Sequence, residues 1–181
     1  MMPWLIVLVT ILLVFVLYLS MTAGRLDRLH QRIAMSELSL DAHLLRRSSV
    51  ALELATGGVL DPASSVLIAD AAHQARTATD VDAMTWARAE SDLTAALDAA
   101  LDDPEEVLEI RLTELGSVLL DELDSAFRRV QLARRFLNDA VRACRQVRGQ
   151  RFVQIFRLAG HTPWPVSFEI DDTPPRGLTG R

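Results

Sequence analysis

The chain has 181 residues, of which half are apolar and 24% are charged, and its formal net charge is −5. Its nineteen basic residues are all Arg, and it has a single Cys, which excludes a disulfide framework and a Cys-based zinc cluster. Aromatic residues make up only 6% of the chain, whereas Ala and Leu are abundant. This composition favours packed helices over a sheet, so we expect an all-α fold.

Residues 1–24 contain no charged side chain, and nearly every residue from Trp4 to Leu19 is apolar. A helix needs roughly 20 such residues to cross a hydrocarbon core. Trp4 and Tyr18 stand near the ends, where amphipathic rings favour the membrane interface. A cleaved signal peptide would need a basic start and a small residue where Met21 stands. The segment therefore predicts an uncleaved transmembrane anchor over 1–24.

Arg25, Arg28 and Arg32 follow this segment directly, and no basic side chain precedes it. The positive-inside rule keeps the flank that is rich in Arg in the cytoplasm. We therefore expect a single-pass protein of the plasma or inner membrane whose body is cytoplasmic.

Helix-boundary signals divide the body, residues 25–160. The first helix is expected to continue from the membrane segment to about residue 56, where Gly57-Gly58 provides a left-handed stop. Asp61-Pro62 predicts a helix over roughly 62–78 and Thr79-Asp80 one over roughly 81–101. The apolar stripe of the first helix is expected to comprise Leu26, Leu29, Ile33, Leu40 and Leu44, broadened by Leu38, Leu45 and Leu52.

Asp102-Asp103-Pro104 repeats the start signal, and the chain then predicts one helix to about Arg148. A helix of some 45 residues cannot bury its apolar stripe against itself. We therefore expect an antiparallel bundle with long first and last helices. Residues 161–181 are expected to be an extended or disordered tail, with one extended segment near 165–170 and disorder over the last ten residues. The stripe of the last helix is expected to comprise Leu112, Leu115, Leu119, Leu123, Phe127, Val130, Ala133, Leu137, Val141, Cys144 and Val147.

Charge is strongly segregated along the chain. Residues 61–103 carry nine acids and two Arg, whereas residues 125–160 carry nine Arg and one acid. A solvated helix face accounts for this simply. If the helices alternate in direction, however, the basic end of the last helix returns to the bilayer and residues 142–164 form a second, peripheral membrane contact. The acidic body disfavours a nucleic-acid partner. The residues predicted at this contact are Arg142, Arg145, Arg148, Arg151, Phe152, Phe156 and Arg157.

No phosphate-binding, dinucleotide-binding, zinc-protease or nucleophile-elbow motif is present in the sequence. We therefore expect no catalytic residue, metal ligand or cofactor. Cys144 is expected to be an inert core thiol, or a reactive thiol if it is exposed beside Arg142 and Arg145. Asn138 is expected to be partly buried and to set helix register, with a part in a binding site as the alternative. The four His are not spaced as a local metal pair: His30, His43, His73 and His161.

Two segments resemble the LemA family. Leu132-Ala-Arg-Arg-Phe-Leu-Asn-Asp-Ala-Val-Arg142 is similar to its signature, in which an Ala-Arg pair precedes a Tyr-Asn pair. Leu40-Asp41-Ala-His-Leu44-Leu-Arg46-Arg47 resembles its aliphatic-Asp-x-x-Leu-x-basic-Arg segment. Leu137 stands where the family has Tyr, so the chain looks like a divergent member. The resemblance implies a membrane-anchored helical bundle without established catalytic residues. The positions matching the motifs are Asp41, Leu44, Arg46, Arg47, Ala133, Arg134, Asn138, Val141 and Arg142.

These observations predict a non-enzymatic interaction or scaffold module at the membrane surface, with membrane lipid and an unidentified protein as partners and self-association left open. The alternative is a sensory or regulatory bundle that binds a small ligand or an envelope component on the outer side. An enzyme is disfavoured because helical-bundle metal sites use Glu-x-x-His sets, which this chain lacks.

Overall fold

A computed structural model describes residues 3–78, 82–160 and 162–179. No strand occurs among these residues, and the prediction of an all-α fold with a long apolar first helix is confirmed. The helices are α1 (Pro3–Thr56), α2 (Pro62–Ala78), α3 (Ala83–Ala100), α4 (Pro104–Leu112), α5 (Glu114–Arg148), α6 (Arg151–Ile155) and α7 (Arg176–Thr179).

The chain forms two compact units. The first comprises Met1–Ser36 and Leu137–Ser167, and the second comprises Glu37–Phe136 and Phe168–Arg181. This division differs from the three segments predicted from sequence, because α1 and α5 each contribute residues to both units.

In the second unit, α1 and α5 run antiparallel. Arg47 of α1 lies over the ring of Phe127, with its guanidinium carbon 5.2 Å from the ring centroid. Ten residues later, Gly57 lies beside Leu115 and Leu119, which precede Phe127 on α5. The core between these helices and α2 and α3 is built from Leu and small residues, which let the helices approach closely. Its fully buried members include Val50, Leu54, Ile68, Ala72, Leu93, Leu97, Leu101, Leu120, Leu123 and Phe127.

Most helix boundaries lie where the sequence signals predict them. Gly58 ends α1 with a φ of 68°, a left-handed conformation that Gly adopts without steric cost. Asp61 caps α2 by accepting the backbone N–H of Ala63 at 2.8 Å. Helix α3 differs, because its N-cap is Asp82. The predicted start signal Thr79-Asp80 lies outside the described residues.

The prediction of one helix over 104–148 is wrong, because the helix breaks at Thr113. Thr113 has an extended ψ of 140°, and its hydroxyl accepts the N–H of Gly116 at 3.0 Å, which caps α5. Gly116 permits this break, since a Cβ there would lie 2.2 Å from the carbonyl oxygen of Ile110. Leu112 and Leu115, expected in the apolar stripe, are consequently exposed.

The rest of the α5 stripe, from Leu119 to Val147, is buried as predicted. On α1, the predicted stripe is buried or half-buried at all five positions. Leu38 and Leu45 were also predicted to belong to this buried stripe, but they are 64% and 50% exposed, so that prediction is wrong.

The disorder expected for the last ten residues is wrong for 172–178, because specific contacts hold this segment. Asp172 is buried and accepts two hydrogen bonds from Arg134, at 2.7 and 3.0 Å. The N–H of Gly177 donates to the carbonyl of Leu101 at 3.1 Å, and Leu178 is buried. The segment near 165–170 is not helical, and His161, Gly180 and Arg181 lie outside the described residues.

We expect Gly116→Ala to lower the free energy of unfolding by about 1–3 kcal/mol, since the added methyl group overpacks the α4–α5 junction. Denaturant unfolding of the protein in detergent measures this. Gly24→Ala is the matched control: the nearest atom to its new Cβ is 3.7 Å away, so the substitution is neutral or stabilises α1 by up to about 1 kcal/mol. Equal stabilities of the two variants would refute the steric explanation.

Candidate functional site

The N-terminal part of α1 is an apolar surface on which almost nothing packs. Its most apolar 18-residue window has a mean hydropathy of 2.8, and none of that window is buried. Trp4, at its start, is 60% exposed and Met21, near its end, is 75% exposed. Among the described residues, α1 is the one helix long and apolar enough to cross a membrane.

Phe15 and Leu19 are less exposed than their neighbours, and Phe15 lies on a face of this apolar stretch that contacts α6. The ring of Phe15 meets Phe152 edge to face, with the centroids 6.5 Å apart, and meets Phe156 at 5.4 Å. Phe15 lies eight residues before Ala23, or about 12 Å along the helix axis. Helix α6 therefore stands beside the apolar stretch and not beyond its end.

Two Arg at the end of α5 hold the segment that follows α6. The Nε–H of Arg145 donates to the carbonyl of Pro165 at 2.8 Å. Arg148 donates to the carbonyls of Thr162 at 2.9 Å and Pro163 at 2.6 Å, and its guanidinium carbon lies 4.9 Å from the centroid of the Trp164 ring. Because these acceptors are neutral carbonyls, they do not neutralise the positive charges of Arg145 and Arg148.

Arg157 has an unusual backbone conformation, with a φ of 47°. The N–H of Leu158 donates to the carbonyl of Val153 at 3.0 Å, and that of Arg157 to Gln154 at 3.3 Å. This is a Schellman turn, whose left-handed position normally holds Gly. A side chain costs roughly 1–2 kcal/mol in that conformation, so Arg157 is conformationally disfavoured where it stands.

An open pocket of about 470 Å³ lies between Arg148 and this turn. Among the described residues, two Arg and no carboxylate contribute to its lining, while Val153 and Trp164 supply apolar surface. We call it the Arg148–Arg157 pocket. Its lining residues are Arg148, Val153, Gln154, Arg157, Ala159, Gly160 and Trp164.

The sequence of the first unit is strongly basic. It contains eight Arg and two acids, which gives a formal side-chain charge of +6, whereas the second unit contains eleven Arg and twenty-two acids, which gives −11. The two units therefore carry net charges of opposite sign, although the basic segment over 125–160 contributes residues to both of them.

The structure brings only part of the predicted membrane-surface set together. Arg148 and Arg157 both line the pocket. Phe152 and Phe156 both contact the ring of Phe15, and Arg145 donates a hydrogen bond to the carbonyl of Pro165. Arg151 is exposed on α6. Arg142 is also exposed and pairs with Asp139 at 2.6 Å. Sequence reasoning did not assign Phe15 to this contact, and it included Trp164 in the range 142–164 without singling it out, although a Trp that follows a basic, aromatic segment was a usable signal.

The two Arg of the resemblance segment Leu40–Arg47 have different structural roles. Arg47 is fully buried and donates to the Glu90 carboxylate at 2.7 Å, to the Glu90 carbonyl at 2.9 Å and to the Thr94 hydroxyl at 3.0 Å. The Thr94 hydroxyl in turn donates to the carbonyl of Asp171 at 2.7 Å. Arg46, by contrast, pairs with Glu122 at the surface. The Arg47 network thus joins α1, α3 and the C-terminal segment.

Several other motif positions form hydrogen bonds or lie in the core. Arg134 forms the two hydrogen bonds to Asp172, and these raise the pKa of Arg134. The same two Arg, Arg47 and Arg134, help to hold the pKa of Asp171 below its usual value, after the hydrogen bonds that Asp171 accepts from Thr173. Leu44, Ala133 and Val141 are buried, whereas Asp41 and Asn138 are half-buried.

The next residues to consider are those whose side chains could act as a nucleophile or bind a metal ion. Cys144 is fully buried, and burial raises the pKa of its thiol although the charge of Arg148 opposes this. The alternative of an exposed, reactive thiol is therefore wrong. His73 is exposed. No group of three His, Cys, Asp or Glu among residues 3–78, 82–160 and 162–179 is placed to hold a metal ion.

No family model, curated protein or solved structure matches the chain. The LemA resemblance accordingly stays a prediction.

We expect Arg47→Met to lower the free energy of unfolding by about 3–5 kcal/mol, because it leaves the Glu90 carboxylate buried without its cation. Denaturant unfolding in detergent measures this. The double variant Arg47→Met/Glu90→Leu should recover much of the loss, since it buries neither charge. Arg46→Met is the matched control, and its exposed pair contributes less than about 1 kcal/mol. A double variant as unstable as the single one would contradict the role of the ion pair.

Proposed function

We propose that this protein is a single-pass, membrane-anchored helical bundle that acts without catalysis as an interaction or scaffold module at the membrane surface. The observation that carries the proposal is the uncovered apolar surface of α1, from Trp4 to Met21. In water this surface would be unfavourable, by about 25 cal/mol for each Å² exposed, and a bilayer removes that penalty. A divergent LemA relationship belongs to this proposal and is supported by the two motif segments alone.

The position of α6 supports a second contact with the membrane. Because Phe152 and Phe156 contact Phe15 well inside the apolar stretch, a span centred on that stretch brings α6 to the headgroup region or below it. Phe152 is 52% exposed and Ile155 70% exposed, so apolar side chains of α6 remain available to lipid. The first unit then meets the bilayer through both α1 and α6.

The charge of the first unit supports a cytoplasmic body. Its eight Arg, with a net side-chain charge of +6, belong on the side that the positive-inside rule favours. Each basic residue near an anionic cytoplasmic leaflet adds about 1 kcal/mol of attraction. The partner is then a cytoplasmic protein or a second copy of the chain, and no nucleic acid is involved.

Extraction of membranes with alkaline carbonate tests the anchor. We expect the full-length protein to stay in the membrane pellet and the variant Leu8→Arg/Leu12→Arg to be released, because two Arg near the middle of a span cost about 5–7 kcal/mol of insertion. Leu38→Arg/Leu45→Arg is the matched control, since it adds the same charge at exposed Leu outside the apolar stretch. Release of the unaltered protein would refute the anchor.

A reporter fused after Arg181 tests the orientation. We expect a reporter that is active only in the cytoplasm to be active, and one that is active only outside to be silent. The opposite pattern would overturn the cytoplasmic scaffold and favour the sensory or regulatory bundle on the outer side. Affinity purification from solubilised membranes should then recover a stoichiometric partner, and repeated recovery of the bait alone would count against a scaffold.

A further inference from the structure

We propose that the Arg148–Arg157 pocket binds the phosphate group of an anionic phospholipid headgroup. The inference rests on the proposed membrane anchoring and deepens it, because it replaces a general basic surface with one defined site. Three features of the first unit carry it: the chemistry of the pocket lining, the backbone of Arg157 and the position of the pocket beside the apolar stretch.

The pocket lining suits an anion that is attached to apolar groups. Its two charged residues are both Arg, whose planar guanidinium groups match phosphate oxygens in a bidentate manner. Trp164 and the buried Val153 provide apolar surface beside them. The volume of about 470 Å³ lies within the roughly 300–1,000 Å³ typical of small-molecule sites.

Arg148 is held in place before any ligand arrives. Its bonds to the carbonyls of Thr162 and Pro163 use one N–H on each terminal nitrogen, and each of these nitrogens carries a second N–H. The Trp164 ring packs against the same guanidinium. A preorganised donor loses little side-chain entropy on binding.

Arg157 occupies a position that Gly would occupy with less strain. It forms no ion pair with any residue that the structure describes, so its side chain contributes no such contact to the stability of the unit. Arg157 lines the same pocket as Arg148. A residue other than Gly in this left-handed backbone conformation is energetically unfavourable, and its presence here points to a functional role for the Arg157 side chain.

The pocket is in the right place for a lipid. Val153 and Gln154 of α6 line it, while Phe152 and Phe156 of the same short helix contact Phe15 in the apolar stretch of α1. A headgroup in the pocket can therefore keep its acyl chains beside α1. Free phosphate lacks those chains and gains nothing from the adjacent apolar surface.

Fluorine NMR of the full-length protein, labelled with fluorotryptophan and held in a neutral detergent, tests the inference. The probes are dihexanoyl phosphatidylglycerol, dihexanoyl phosphatidylcholine and inorganic phosphate. We expect phosphatidylglycerol to shift the Trp164 signal saturably, and the other two probes to leave it unchanged at the same concentrations. The signal of Trp86, in the second unit, is the internal reference.

Arg157→Gly is the decisive variant, because it removes the guanidinium and relaxes the turn without breaking the fold. We expect its affinity for phosphatidylglycerol to fall about tenfold, as expected for the loss of charge-assisted hydrogen bonds. Arg142→Gln removes one positive charge outside the pocket and should leave the affinity unchanged within about twofold.

Three results would overturn the site: no shift of the Trp164 signal with phosphatidylglycerol, saturation by inorganic phosphate at equal concentration, or an equal loss of affinity in Arg142→Gln, which would indicate diffuse charge attraction. Carbonate extraction of the same variants separates the two proposals. If only the lipid-binding proposal is wrong, the protein still stays in the membrane pellet. If the anchor proposal is wrong, carbonate releases the unaltered protein.

Discussion

The apolar surface of α1 constrains the rest of the first unit. Over its first twelve described residues the helix is exposed on every side, and it is apolar except at Thr10, whose hydroxyl donates to the carbonyl of Ile6. From Phe15 onward one face becomes covered, first by the rings of α6 and later by enough structure to bury Leu26 completely. The same helix is therefore uncovered at one end and covered by protein further along, and the transition lies at Phe15. If the proposed anchor holds, this transition determines where the first unit meets a bilayer.

Arginine serves two opposite purposes in this chain. Arg47 is removed from water and paired with Glu90, and Arg134 is matched to Asp172, so their charges are neutralised within the second unit. In the first unit, Arg145 and Arg148 donate to neutral carbonyls instead. Those hydrogen bonds hold the segment over 162–165, and their acceptors carry no negative charge that would neutralise the two Arg. Arg is suited to both purposes because its planar group has five donors and stays charged when it is partly buried.

Local signals predicted much of the fold. Gly58, Asp61 and Asp103 act at helix ends as expected, because capping depends on a few neighbouring residues. The break at Thr113 was missed, since periodicity continues through it, and the signal was the isolated Gly116. The order of the C-terminal segment was missed because it depends on Arg134, almost forty residues away in sequence. For the candidate site, sequence predicted the basic and aromatic residues but treated them as one surface.

The sequence by itself determined the apolar N-terminal segment, the helical class, most of the helix caps and the separation of charge, because each follows from residues that are adjacent or regularly spaced. Only the tertiary structure decided which Arg is buried, that Phe15 faces α6 and that Arg148, Arg157 and Trp164 line one pocket. It also set the left-handed conformation of Arg157. These features depend on contacts between residues far apart in the chain and on a backbone turn whose usual Gly is absent, and no local pattern encodes either of them.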